Sequence, residues 1–254
     1  MESATGSARG LVRTEASHKR VRVFFGGELI VDTDDALYVW ESPYYPQYYV
    51  PLADVADGVL RPSATTKRSP SRGTASSYVV HAGGREAIDA AWSYPDSPLE
   101  ELRGRVRFEF DAMDAWFEED EEIFVHPRGP STRIQILPSS RHVSVTLDDV
   151  VVADTDRPVF LHETGLIRRT YFNKLDIRMD LLTPTDKTSR CPYKGTARYW
   201  TLNTPTEQHV DLAWSYPSPL RESAQIAGLV AFFDERVDLT VDGKRQPRPA
   251  SPRA

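Results

Sequence analysis

The chain has 254 residues, 27% of them charged, with a formal net charge of -6 and an isoelectric point near 5.6. An acidic body of this kind lacks the basic face of a nucleic-acid binder, so no nucleic-acid partner is expected. A single cysteine, Cys191, excludes a disulfide framework within the chain and a cysteine-based zinc site. The first twenty residues carry no apolar stretch and no run approaches the ~18 apolar residues of a spanning helix, so neither a signal peptide nor a membrane span is expected, and a cytoplasmic location follows as the default.

Residues 1–19 are small and polar and are expected to be disordered. From Val21 the pattern is β: Val21, Val23 and Phe25 alternate with Arg22 and Phe24, then Gly26-Gly27 leads into Glu28–Val31. Apolar runs broken by two such residues predict a hairpin. Short strands follow at 37–40, 48–50, 74–80, 88–92, 106–110 and 115–117. Helical turns are expected at 52–60, where Asp54 suits the helix dipole, and at 98–104, closed by glycine.

The same order then returns. Shifted by 122 positions, residues 21–95 fall without a gap on residues 143–217, with 22 identities where chance would give roughly 5. Val143, Val145 and Leu147 lead through Asp148-Asp149 into a second hairpin. Strands are expected at 159–162, 170–172, 196–202, 210–214, 229–233 and 237–241, with helical turns at 174–182 and 219–228. A unit of this length is a duplicated domain rather than a solenoid repeat. The expected fold is mainly β, in two tandem copies of a compact domain, β-tent-like or a small barrel, with one or two short helices each. The boundaries expected are 20–118 and 141–243, joined by a linker at 119–140 and followed by a disordered tail at 244–254. The linker opens within an acidic run, Glu118–Glu122, yet Ile123, Phe124, Val125, Ile134, Ile136 and Leu137 are too apolar for a free tether, so it is expected to pack on the domains.

The densest chemistry is Arg190-Cys191-Pro192-Tyr193-Lys194-Gly195, against Arg68-Ser69-Pro70-Ser71-Arg72-Gly73 in the first copy. The shared proline and glycine are turn residues. The thiol and the phenol belong to the second copy alone, as does His162, which replaces Trp40. A site is therefore expected in the second copy, with Arg190, Tyr193, Lys194, Trp214 and Tyr216 binding a small anionic ligand through the two cations. Should the protein be an enzyme, Glu163, Cys191 and His162 are the candidate catalytic residues. No metal or cofactor is expected, since phosphate loops, dinucleotide fingerprints and His-Glu-x-x-His are all missing. Tyr44, Tyr45 and Tyr48 form a tyrosine-rich run that suits a protein partner, giving a third reading as an interaction scaffold.

The strings Arg-Cys-Pro-Tyr-Lys-Gly, Asp-x-Ala-Trp-Ser-Tyr-Pro and Ile-Ala-Gly-x-Val-Ala-Phe resemble the DUF427 family of domains of unknown function. Residues 141–243 match throughout, whereas 20–118 lack the Cys-Pro-Tyr-Lys string. The tandem arrangement, with its His-Pro-Arg and Leu-Pro-Ser-Ser-Arg linker, is similar to that of actinobacterial members. The resemblance implies a compact mostly-β domain and no established activity. A nucleotidyltransferase-like label carried by the family finds no support in these residues, which lack a Gly-Ser followed by Asp-x-Asp.

Overall fold

A computed structural model describes residues 12–250. The chain divides into two units, 1–129 and 130–254. The first contains β1 (Arg13–Ala16), β2 (Val21–Phe25), β3 (Glu28–Thr33), β4 (Leu37–Trp40), β5 (Gln47–Pro51), β6 (Leu60–Ser69), β7 (Gly73–Ala82), β8 (Arg85–Ser93), β9 (Arg105–Phe108), β10 (Ala115–Glu118) and β11 (Glu121–Ile123). The second contains β12 (Ile134–Pro138), β13 (Val143–Leu147), β14 (Val150–Thr155), β15 (Val159–Glu163), β16 (Arg169–Phe172), β17 (Leu182–Cys191), β18 (Gly195–Asn203), β19 (Gln208–Ser215), β20 (Val230–Phe232), β21 (Asp238–Val241) and β22 (Lys244–Arg245).

Each unit is a pair of antiparallel sheets. In the first, seven strands run in the order β1-β4-β5-β9-β8-β7-β6 and four in the order β11-β10-β2-β3. The second repeats this as β12-β15-β16-β20-β19-β18-β17 and β22-β21-β13-β14. The main core of each domain fills the space between its sheets, because alternation sends Val21, Val23 and Phe25, or Val143, Val145 and Leu147, to one face. A smaller apolar cluster covers the far face of each seven-stranded sheet: Val39, Tyr49, Trp92 and Tyr94 in the first domain, Leu161, Tyr171, Trp214 and Tyr216 in the second.

The hairpin turns follow the sequence. Gly26 and Gly27 both have positive φ, and Asp148 and Asp149 take the same left-handed pair in the second domain. Gly26 also lies against the β7–β8 turn, where a Cβ would stand 2.2 Å from the Ala82 carbonyl oxygen. Asp148 instead reaches the corresponding turn with its side chain, accepting hydrogen bonds from Thr204 and His209 at 2.6 and 2.8 Å.

Several expectations need correction. Part of the N-terminal segment is β1, which pairs with β4; residues 1–11 lie outside the described residues. The tail contributes β22, paired with β21, and is described as far as residue 250. The expected linker is shared out: β11 joins the small sheet of the first domain and β12 the large sheet of the second. The expected helices shrink to single 3-10 turns at 52–54, 100–102, 174–176 and 179–181, with two short turns meeting at a kink at Ser223 within Arg221–Ile226. Asp54 and Asp176 serve no helix dipole. They accept hydrogen bonds from Thr33 and Thr155 at 2.6 and 2.8 Å, tying β3 and β14 to the segments after β5 and β16. No helix among the described residues is long and apolar enough to cross a membrane.

The tyrosine run separates by depth. Tyr48 is 2% exposed and hydrogen-bonds Tyr38 and Glu118, so it belongs to the core rather than to a surface. Tyr45 stacks on the His126 ring at 4.4 Å, and Tyr44 is 66% exposed.

Candidate functional site

The Cys191-Pro192-Tyr193-Lys194 turn links β17 to β18, with Gly195 at φ +92°. Proline presets the turn, and the positive φ favours glycine. The loop after β19 holds the turn in place: Leu220 N–H donates to the Lys194 carbonyl and Ser223 Oγ to that of Tyr193, at 3.2 and 3.1 Å. The Tyr193 phenol donates to Thr132 Oγ1 at 3.1 Å.

Lys194 is thereby turned inward. Only 8% of the residue is exposed, and its ammonium forms a short hydrogen-bonded ion pair with Glu163 at the end of β15. Around the pair stand Tyr171, Trp214 and Tyr216, with half-buried Cys191 packed against the same cluster. Burial lifts the Tyr171 and Tyr216 phenols far above their ordinary range, and the nearby Cys191 and Glu163 push the same way. Both phenols therefore stay protonated as donors.

The structure thus brings Glu163, Cys191, Tyr193, Lys194, Trp214 and Tyr216 to one face of the large sheet. Two residues fall elsewhere. His162 precedes Glu163 on β15, so alternation puts it on the opposite face, and Glu163, Cys191 and His162 do not form one constellation. Arg190 is exposed and alternates away from Ser189 and Cys191, the residues that face the cluster.

The first domain keeps the arrangement with other residues. Glu41 accepts a 2.6 Å hydrogen bond from the Tyr49 phenol and lies 3.2 Å from Arg72 and 3.5 Å from Arg107. The Arg107 guanidinium packs on Trp92 at 4.1 Å, and Arg72 lies over Tyr94. Glu41, Tyr49, Arg72, Trp92 and Tyr94 match Glu163, Tyr171, Lys194, Trp214 and Tyr216 at the 122-residue shift. Arg107 has no such match, because the strand register places Ala231 there. The carboxylate–cation pair is therefore common to both domains, buried in the second and part-buried in the first, while Cys191 and Tyr193 are particular to the second. The repeat retains Glu41/Glu163 and a cation at Arg72/Lys194, but their pairing was not legible in the sequence, nor was the contribution of Arg107, which lies beyond the ungapped repeat.

Fold and site together define a duplicated two-sheet β protein with one carboxylate–cation pair on the outer face of each larger sheet. A family model described as a domain of unknown function, DUF427, matches residues 13–119 and 135–243, and the chain belongs to that family. The two matches begin 122 residues apart, the spacing that also relates β1 to β12. No curated protein matches the chain.

Proposed function

We propose that the second domain binds a small anionic molecule at the Lys194–Glu163 pair. The observation that carries this reading is the depth of the pair and the company it keeps. Burying two opposite charges is a poor route to stability, since apolar groups of similar volume usually serve as well. Both domains nevertheless hold a carboxylate–cation pair on the same face, part-buried with arginine in the first and buried with lysine in the second. An anion entering the second site competes with Glu163 for the ammonium and finds the Tyr171 and Tyr216 side chains nearby. Glu163 then acts as an internal partner that holds the Lys194 side chain in place until a ligand enters.

Thermal melts with inorganic phosphate, succinate and adenosine monophosphate test the reading. At least one anion is expected to raise the melting temperature of the wild type. The shift should be larger in Glu163→Gln, whose ammonium has lost its competitor, and absent in Lys194→Met. Equal shifts in wild type and Lys194→Met, or no shift in any anion, remove the reading.

A further inference from the structure

A cleft of about 450 Å³ opens between the two sheets of the second domain, beside the β15–β16 hairpin. Its apolar wall is Ile167, Leu239, Pro247 and Pro249, and its polar groups are His162, Arg168, Asp234 and Gln246. It lies on the opposite side of β15 from the Lys194–Glu163 pair. The C-terminal segment forms one wall and is pinned there: the Gln246 amide donates to the Leu239 carbonyl at 2.7 Å, and Arg248 pairs with Asp238 at 3.0 Å.

Asp234 is the group without an explanation inside the protein. It is 8% exposed, yet no hydrogen bond or ion pair reaches its carboxylate among the described residues. Arg169, the neighbouring cation on β16, is held by Glu235 in a bidentate pair at 2.7 Å. Arg168 stands over the Phe160 ring at 4.4 Å and also lines the cleft. The Asp234 oxygens are not sealed from solvent, so a largely buried carboxylate with no protein donor is left facing the cleft, where such groups are normally paired.

The first domain shows that the fold does not need this opening. Backbone bonds from Glu109 to Ala90 and from Phe233 to Leu212 continue the strand registers, so Phe110 follows where the second domain has Asp234, and Trp116 pairs where it has Leu239. Those two rings stack at 4.9 Å and fill the space, with Trp40, the counterpart of His162, packed against the same core. The second domain has exchanged three aromatic rings for a carboxylate, an aliphatic chain and an imidazole.

We propose that this cleft binds a small zwitterion of the α-amino-acid type with an apolar side chain. The ligand ammonium pairs with Asp234, its carboxylate with Arg168 and with His162 at the rim, and its side chain lies on Leu239, Pro247 and Pro249. A lone amine would leave Arg168 unmatched, and a lone carboxylate would leave Asp234 unmatched.

Calorimetric titration of the full chain tests this with L-leucine, L-phenylalanine, 3-methylbutylamine and 4-methylpentanoate. One of the two amino acids is expected to bind, and the two half-ligands at least tenfold more weakly. Asp234→Asn and Arg168→Ala are each expected to weaken amino-acid binding at least tenfold. Lys194→Met should leave it unchanged, which separates this site from the anion site above. Silence with both amino acids overturns the proposal, as does undiminished binding in folded Asp234→Asn or Arg168→Ala, or an amine that binds as well as its amino acid.

Discussion

Asp234 is the residue at which the two domains differ most in physical terms. Burial lifts its carboxyl from the ordinary value of 3.8 to about 6, with Glu235 adding to the effect and Arg169 and Arg168 opposing it. The folded protein therefore holds this proton more tightly than the unfolded chain does. That sign is opposite to the usual paired aspartate: the contribution to stability grows as pH falls through 6 and levels off below 3.8. Above pH 6 the ionised fold carries a cost of roughly 3 kcal/mol. Asp234→Asn removes the ionisable group at almost constant shape. It is expected to raise the melting temperature by several degrees at pH 7, with the gain disappearing near pH 4. Melting curves of both proteins from pH 4 to 8 check this, and a difference independent of pH would mean that folding leaves the Asp234 carboxyl at its ordinary value.

At the level of single strands, the retained Asp89 and Asp211 mark a bulge. Both are left-handed, with φ of +51° and +54°, and the pairing register slips beside each. Each bulge inserts two extra residues in β8 or β19, and within it Ala90 and Ala91, like Leu212 and Ala213, are buried in succession where simple alternation would expose one of each. Thr185 Oγ1 donates to Asp211 at 2.8 Å and Lys187 lies 3.3 Å away, so the side chain also ties β17 to β19. Asp211→Ala is expected to lose about 2 kcal/mol, one part from the hydrogen bond and one from the left-handed backbone. Asp211→Gly keeps the backbone freedom and should lose about half as much. Urea unfolding of both variants decides the matter, and equal losses would deny the backbone its share. Inner strands such as β2 and β13 were readable from sequence because one face is apolar and the other polar. β6 and β17 were not, since most of their residues are exposed at a sheet edge and leave no period to detect. The expected helix at 52–60 failed for a related reason: Ala56 donates to the Ile30 carbonyl and Val55 bridges to Val31, so the sheet claims backbone groups that a helix would use. The turn at 191–195 was legible through its proline and glycine, whereas the Asp234 cleft depends on rings that are missing, which no local pattern records.

Across the whole molecule, the duplication is more even than sequence comparison suggests. The ungapped repeat begins at Val21 and marks the first domain as the degenerate copy, yet that domain keeps a part-buried Glu41 between two guanidinium groups. The divergence is one of specialisation: the first domain has filled the inter-sheet space with Phe110 and Trp116, and the second has opened it. The repeat also runs further upstream than its identities do, since β1 and β12 occupy the same sheet position with almost no residues in common. A domain boundary drawn at residue 141 therefore cuts through a structural unit. β12 pairs with β15 over five positions, Ile134↔Glu163 through Pro138↔Val159, and places buried Ile136 in the cluster around Tyr171 and Trp214. Truncating one buried isoleucine to alanine typically costs ~2–5 kcal/mol, and a typical domain has only ~5–15 kcal/mol in all. Fragment 130–254 is accordingly expected to unfold cooperatively in urea, whereas fragment 141–254, with β15 left as a bare edge and Thr132 no longer available to Tyr193, is expected to lose at least half of that stability or to aggregate through the exposed strand. Matching denaturation midpoints for the two fragments would show that β12 is an ornament of the domain instead of part of its core.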